Sequence, residues 1–172
     1  PDAQPQPGMA TSWETSADGL VWTFHLRQAA WSDGVPVTAH DFVYAYRRIL
    51  DPETASNSAY LLYVLKNARA VNEGAAPVSA VGAEALDDRT LRLTLGHPAP
   101  YLLGFATHRS FYPVPRHVVG RHGEAWVMPG TGCSVRAETP LASGASRTIP
   151  ADSRAAGEPR RVSIAVTASP RF

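Results

Sequence analysis

Cysteine is almost missing from this chain. With Cys133 as its single thiol, no internal disulfide can form and no cysteine-based zinc cluster can be assembled. Lysine is equally scarce: Lys66 stands alone among sixteen basic residues, the rest being arginines scattered along the sequence. That spread reads as a bias of composition rather than a basic patch. With a formal net charge of +1, nothing calls for nucleic acid or an acidic membrane surface as partner. No apolar run approaches the roughly 18 residues of a membrane span. The opening segment Pro1-Asp2-Ala3-Gln4-Pro5-Gln6-Pro7-Gly8 has neither the basic nor the apolar region of a secretory leader. It runs straight into a strand pattern, so the chain reads as the interior of a longer protein.

Catalytic signatures are missing as well. There is no His-Glu-x-x-His and no Gly-x-Ser-x-Gly, and Gly130-Thr131-Gly132 lacks the third glycine and the preceding apolar strand of a nucleotide loop. Six histidines are present, but no two lie four apart on a helix; His117 and His122 are five apart, and His25 falls on the wet face of a strand. Surface or packing roles are expected for all six, with no metal and no cofactor. The neighbouring carboxylates Asp87 and Asp88 read as turn residues that accept local amide bonds. Trp13, Trp22, Trp31 and Trp126 read as packing residues rather than stacking platforms for a ligand.

What is present suits one ordinary domain: 172 residues, 44% apolar and 18% charged. Leu20, Trp22, Phe24 and Leu26 alternate with Val21, Thr23, His25 and Arg27, the period of a strand with one buried face. Asp18-Gly19 and Ser32-Asp33-Gly34 bracket it with turns. Thr38 and Asp41 stand at capping-box spacing and predict a helix over about 38 to 50, with Phe42, Ala45, Tyr46 and Ile49 as its buried stripe and Arg47 and Arg48 at its negative pole. Asp51-Pro52 ends it. A second, less regular helix is expected over Tyr60 to Ala70. Val81 to Leu86 and Thr90 to Leu95 flank Asp87-Asp88-Arg89 as a β-hairpin. Pro98-Ala99-Pro100 then breaks the strand and sets a short helix from Tyr101 to about Ala106, and Pro113-Val114-Pro115 punctuates again before Arg116 to Arg121. Beyond Pro129-Gly130 the pattern dissolves until Val162, Ile164 and Val166, and an atypical, poorly ordered tail is expected over 131 to 172. No internal repeat recurs at a fixed period.

Several motifs, in order and spacing, carry a family resemblance: Met9-Ala10-Thr11-Ser12-Trp13-Glu14, Trp22-Thr23-Phe24-His25-Leu26-Arg27, and Trp31-Ser32-Asp33-Gly34-Val35-Pro36-Val37-Thr38-Ala39-His40-Asp41-Phe42-Val43-Tyr44. Asp51-Pro52-Glu53-Thr54-Ala55-Ser56, Pro98-Ala99-Pro100-Tyr101, Tyr112-Pro113-Val114-Pro115 and Gly123-Glu124-Ala125-Trp126 follow them. Over residues 8 to about 130 the chain resembles bacterial extracellular solute-binding proteins of family 5, the oligopeptide/dipeptide-binding components of ABC transporters. The resemblance implies an α/β (α+β) fold: part of a periplasmic-binding-protein type II fold, mainly its small inserted domain with a mixed sheet and flanking helices, over 1 to 130. It implies a peptide or similar small solute as ligand, an ABC-transporter permease as partner of the full-length protein, a monomer, and a periplasmic or extracellular location, membrane-associated through the transporter or a lipid anchor.

Two departures stand out. Family members that bind oligopeptides often place a ligand-facing tyrosine just after the Ala55-Ser56 position, where this chain has Asn57-Ser58. By that correspondence Asn57 and Ser58 are the candidate ligand contacts, offering donors and acceptors. After Gly130-Thr131 the chain runs Gly132-Cys133-Ser134-Val135-Arg136 where the family continues with Ser/Thr-Asn-Gly, which suggests a frameshifted or misassembled tail from about 132. Three readings of function stay open: solute binding for import, a truncated module without transport activity, and a peptide hydrolase, ranked in that order. Most of a ligand cleft would lie outside these residues, so weak binding by the chain alone is expected.

Overall fold

The computed structural model describes residues 8–127 and the pair 135–136. Alternation dictates the first elements. β1 (Ala10–Thr15) returns through a turn into β2 (Val21–Leu26), in which Trp22, Phe24 and Leu26 face inward while Val21, Thr23 and His25 stay half-buried. The turn is closed by Gly19 N–H donating to the Ser16 carbonyl and Ser16 N–H donating to the Val21 carbonyl. Gly19 takes φ +70, a left-handed conformation that a glycine adopts without strain. Asp18 accepts from the Ser16 hydroxyl and from Leu20 N–H, and these bonds, the hydroxyl first, hold its carboxyl below its ordinary value. β3 (Ala30–Trp31) follows, and then α1 (Ala39–Leu50).

Asp41, in the first turn of α1, accepts from Thr38 N–H at 2.9 Å, the returning half of a capping box. The carboxylate is only 2% exposed. It is compensated further by the Trp31 indole N–H at 3.4 Å and by Arg116 at 3.7 Å. The expected stripe of Phe42, Ala45 and Tyr46 is buried; Ile49 lies at its margin and Leu50 takes the fully buried place. The helix stops at Asp51, whose carboxylate turns forward to accept from Glu53 N–H in a 3-10 turn over Pro52–Thr54.

A second 3-10 turn (Ala59–Leu62), α2 (Ala68–Asn72) and a third 3-10 turn (Val78–Ala80) lead into β4 (Ala83–Asp87) and β5 (Thr90–Thr94). The expected single helix over Tyr60 to Ala70 is therefore two short pieces. Between them Leu65 bridges to Leu95, Lys66 N–H donates to the Thr94 carbonyl, and Asn67 adopts φ 60. The all-round apolar run Leu61 to Leu65 is used to close the end of the sheet, and pairing with the Thr94–Gly96 backbone outcompetes a helix whose every face would be apolar.

The main sheet has the order β1-β2-β5-β4. Every described pairing is antiparallel, where the resemblance implied a mixed sheet. Connections as short as Asp88-Arg89 can join only antiparallel neighbours. Trp22 registers with Leu93 and Phe24 with Leu91, so both strands send their apolar set to one face. There Trp22 and Phe24 stack at 6.2 Å. α1 lies across β4 and β5 on that side. α3 (Leu102–Phe105), a 3-10 turn (Arg109–Phe111), α4 (Arg116–His122) and a last 3-10 turn (Gly123–Val127) complete the layer. β6 (Val135–Arg136) pairs with β3. The rest of the expected tail, including Val162, Ile164 and Val166, lies outside the described residues.

Two long-range contacts fasten this layer. Tyr46 Oη donates to the Phe111 carbonyl at 3.1 Å, with the two rings edge-on at 5.7 Å. Gly82 N–H donates to the Lys66 carbonyl while the Gly82 carbonyl accepts from Thr94 N–H, and a Cβ on Gly82 would overlap the Thr94 carbonyl oxygen.

Two stability predictions follow from these contacts. Gly82→Ala is expected to cost about 2–3 kcal/mol in urea unfolding, because backbone has to move to admit the methyl group. Burial raises the Tyr46 phenol well above its ordinary 10.0. The folded state keeps the proton that the unfolded chain releases, so this stabilisation is complete below pH 10.0 and is lost as pH climbs from there toward the folded pKa. Tyr46→Phe is expected to lose about 1 kcal/mol at neutral pH and to flatten the fall of melting temperature above about pH 10.

Candidate functional site

The two candidate ligand contacts, Asn57 and Ser58, lie together in the loop between the 3-10 turns Pro52–Thr54 and Ala59–Leu62, at the C-terminal end of α1. The loop is shaped by its own backbone. Thr54 N–H donates to the Asp51 carbonyl at 3.0 Å, and Ala55 N–H to the Pro52 carbonyl at 3.1 Å. Ala55 then takes φ 49, a left-handed conformation that costs a non-glycine residue about 1 kcal/mol or more and reverses the chain. Ser58 N–H reaches the Ser56 hydroxyl at 3.3 Å, and Ala59 N–H the Ser56 carbonyl at 3.2 Å.

Below the loop, Ala59 and Leu62 are buried and anchor the second 3-10 turn. Behind it, Asn72 Nδ2 donates to the Leu50 carbonyl at 3.2 Å, and Asn72 Oδ1 accepts from Tyr63 Oη at 2.8 Å. Arg69 lies over the Tyr63 ring at 5.3 Å. Asn57 is therefore exposed and Ser58 half-buried on a loop held from two sides. Neither side chain hydrogen-bonds to a described residue, so amide and hydroxyl are free to meet an incoming molecule. Tyr60 stands beside them, 64% exposed. Sequence reasoning placed it in a helix; the usable signal was Ala59 and Leu62 three apart, the spacing of a 3-10 turn that turns the residue after Ala59 outward.

Other candidates are dispersed. His25 pairs with Glu14 at 3.3 Å, His40 with Asp88 at 3.7 Å and His117 with Asp33 at 2.6 Å. Among the described residues no three His, Cys, Asp or Glu side chains converge on one point. His108 lies beside Ser110 at 3.2 Å, but as the cap of a 3-10 turn, and Ser110 is 3% exposed, out of reach of a substrate. Asp87 accepts from Arg89 N–H at 2.7 Å, and that bond leads the causes that hold its carboxyl below the ordinary value, followed by the Thr90 hydroxyl. Trp22 and Trp31 are buried in the core; Trp13 and Trp126 are half-buried.

A cavity of about 400 Å³ is lined by Gln28, Ala29, Pro36, Val37, Thr38 and Arg89 among others. It sits at the N-terminal end of α1, about 18 Å of helix away from Asn57 and Ser58. The two features are therefore separate.

Comparison with known proteins follows the same residues. The model of the bacterial extracellular solute-binding proteins, family 5 (middle), matches residues 4–145. The periplasmic oligopeptide-binding protein OppA of Escherichia coli strain K12 is 47% identical over 132 residues, which are 75% of this chain and 24% of that protein. The probable deoxycholate-binding periplasmic protein YgiS of the same strain is 43% identical over 131 residues, 74% of this chain and 24% of its own length. The crystal structure of Haemophilus influenzae OppA in complex with RPPGFSPFR superposes with a TM-score of 0.71 at 44% identity, covering 74% of this chain and 26% of that one. The chain thus spans about a quarter of the length of the relatives it matches, and its fold is part of the periplasmic-binding-protein type II architecture.

Leu62→Ala tests whether the buried anchor shapes the loop. The substitution is expected to cost about 2–5 kcal/mol in chemical unfolding and to speed amide exchange at Asn57 and Ser58 more than in β2.

Proposed function

We propose, from the premise that this chain belongs to the family 5 bacterial extracellular solute-binding proteins, that it forms part of a peptide receptor serving an ABC importer. The identity shared with oligopeptide-binding relatives over three quarters of the chain carries this reading. In the whole receptor these residues contribute one wall of a cleft. Asn57 and Ser58 meet the ligand there, the carboxamide and hydroxyl pairing with peptide N–H and C=O groups. A permease receives the ligand on the outer side of the inner membrane, the receptor acts as a monomer, and no bond is made or broken in the ligand.

A second reading, a module inert without the rest of a receptor, is favoured by the exposure of Asn57. Groups on an open surface compete with water for every hydrogen bond. The two readings separate in a titration of this chain with Ala-Ala-Ala, followed by amide NMR. A peptide-facing loop is expected to shift the Asn57 and Ser58 resonances with a dissociation constant on the order of 1 mM. Unmoved loop resonances at saturating peptide, or shifts confined to the cavity at the other end of α1, would overturn the peptide-facing assignment.

A further inference from the structure

Between Thr54 and Leu65 there is no Asp, Glu, Lys, Arg or His, in a chain of which 18% is charged. This charge-free strip coincides with the loop and 3-10 turn that present Asn57 and Ser58. In its middle stands Tyr60, the most exposed of the large hydrophobic side chains among the described residues, 64% against 49% for Tyr101. Its backbone is pinned. Leu61 N–H donates to the Ser58 carbonyl and Tyr63 N–H to the Tyr60 carbonyl, each at 3.2 Å, while Leu62 on the opposite side of the turn is 0% exposed.

Other exposed aromatics are engaged. Tyr101 and Phe105 pack edge-on at 5.2 Å, and Tyr101 Oη lies 3.2 Å from His97 Nε2. The Tyr60 ring has no ring or cation neighbour among the described residues. A phenol held on a fixed turn offers a broad apolar face with few rotatable bonds to freeze, which makes it a favourable contact for another apolar group.

Resting on the peptide reading above, we propose that Tyr60 is a specificity-determining residue of the same site. Its ring packs against an uncharged aromatic or aliphatic side chain of the ligand while Asn57 and Ser58 hold the adjacent peptide groups. The strip itself supplies no ion to pair with a charged side chain; Glu53 and Lys66 flank it in sequence, and Arg69 is engaged over the Tyr63 ring. A carboxylate or ammonium placed there gives up part of its hydration without compensation, so acidic and basic residues are disfavoured at this subsite.

The experiment compares Ala-Phe-Ala, Ala-Ala-Ala and Ala-Glu-Ala as ligands of the whole chain, with amide and aromatic NMR as readout, for the native sequence, Tyr60→Ala and Tyr60→Phe. Tyr60 is exposed, so both variants are expected to keep the native unfolding midpoint. Ala-Phe-Ala is expected to bind about fivefold tighter than Ala-Ala-Ala, with Ala-Glu-Ala weakest and the Tyr60 ring protons shifting on binding. Tyr60→Ala abolishes the preference for Ala-Phe-Ala and Tyr60→Phe preserves it. If Asn57 and Ser58 respond equally to all three peptides, or Tyr60→Ala leaves the preference intact, the role of Tyr60 is overturned while the peptide reading stands. If no peptide moves Asn57 or Ser58, the peptide reading fails and the subsite with it.

Discussion

Packing of α1 over β4 and β5 is the constraint on which the remaining geometry depends. Phe42, Tyr46 and Leu50 are fully buried on that helix, and Phe24, Leu91 and Leu93 are their counterparts on the sheet. Burying side chains of this size contributes about 1.5–3 kcal/mol each before ordering costs are counted. The helix cannot be rotated without exposing one of these groups. Its rotation about its own axis is therefore fixed, and with it the direction in which the chain leaves either end.

The two ends are built from different chemistry. At the N-terminal end a buried carboxylate, Asp41, collects Thr38 N–H, the Trp31 indole and Arg116, and Ala39 N–H donates to the Asp88 carbonyl at 2.8 Å. Negative charge there is favoured by the helix dipole, and the partners limit its desolvation cost. One charge thus joins β3 and α4 to the start of α1, and a backbone bond adds the β4–β5 turn. At the C-terminal end neutral groups do most of the fastening: Asn72 takes up the Leu50 carbonyl, Tyr63 takes up Asn72, and the left-handed Ala55 reverses the chain, while the Asp51 carboxylate caps the turn that follows.

Elements with a clear period were legible in the sequence. The alternation from Leu20 to Arg27, the Thr38 and Asp41 spacing and the Leu91, Leu93, Leu95 series each name one conformation, and the structure places them accordingly. Leu61 to Leu65 carry no such period, so their partners, the backbone of Thr94 to Gly96, could be found only in three dimensions. The burial of Asp41 was also beyond local reasoning, because a capping carboxylate is ordinarily solvated and Arg116 lies 75 residues away. Asn57 and Ser58 were picked out by family resemblance. Nothing in their own chemistry separates them from other polar loop residues, whereas the exposure of Tyr60 is a property of the folded turn.

If this loop is one wall of a receptor cleft, as proposed, the energetics of an open loop require a second wall. A peptide hydrogen bond made in contact with water contributes about 0.5–1.5 kcal/mol net, and an exposed aromatic contact about 0.5–1.5 kcal/mol more. On the proposed reading, Asn57, Ser58 and Tyr60 together supply roughly 2–4 kcal/mol, which corresponds to millimolar binding at best. Micromolar affinity requires about 8 kcal/mol. A second wall closing over the ligand raises the worth of the same bonds by excluding water, and adds its own contacts. Ala55 and Leu62 fix the loop on their own, so on the proposed reading closure need not also order Asn57 and Ser58.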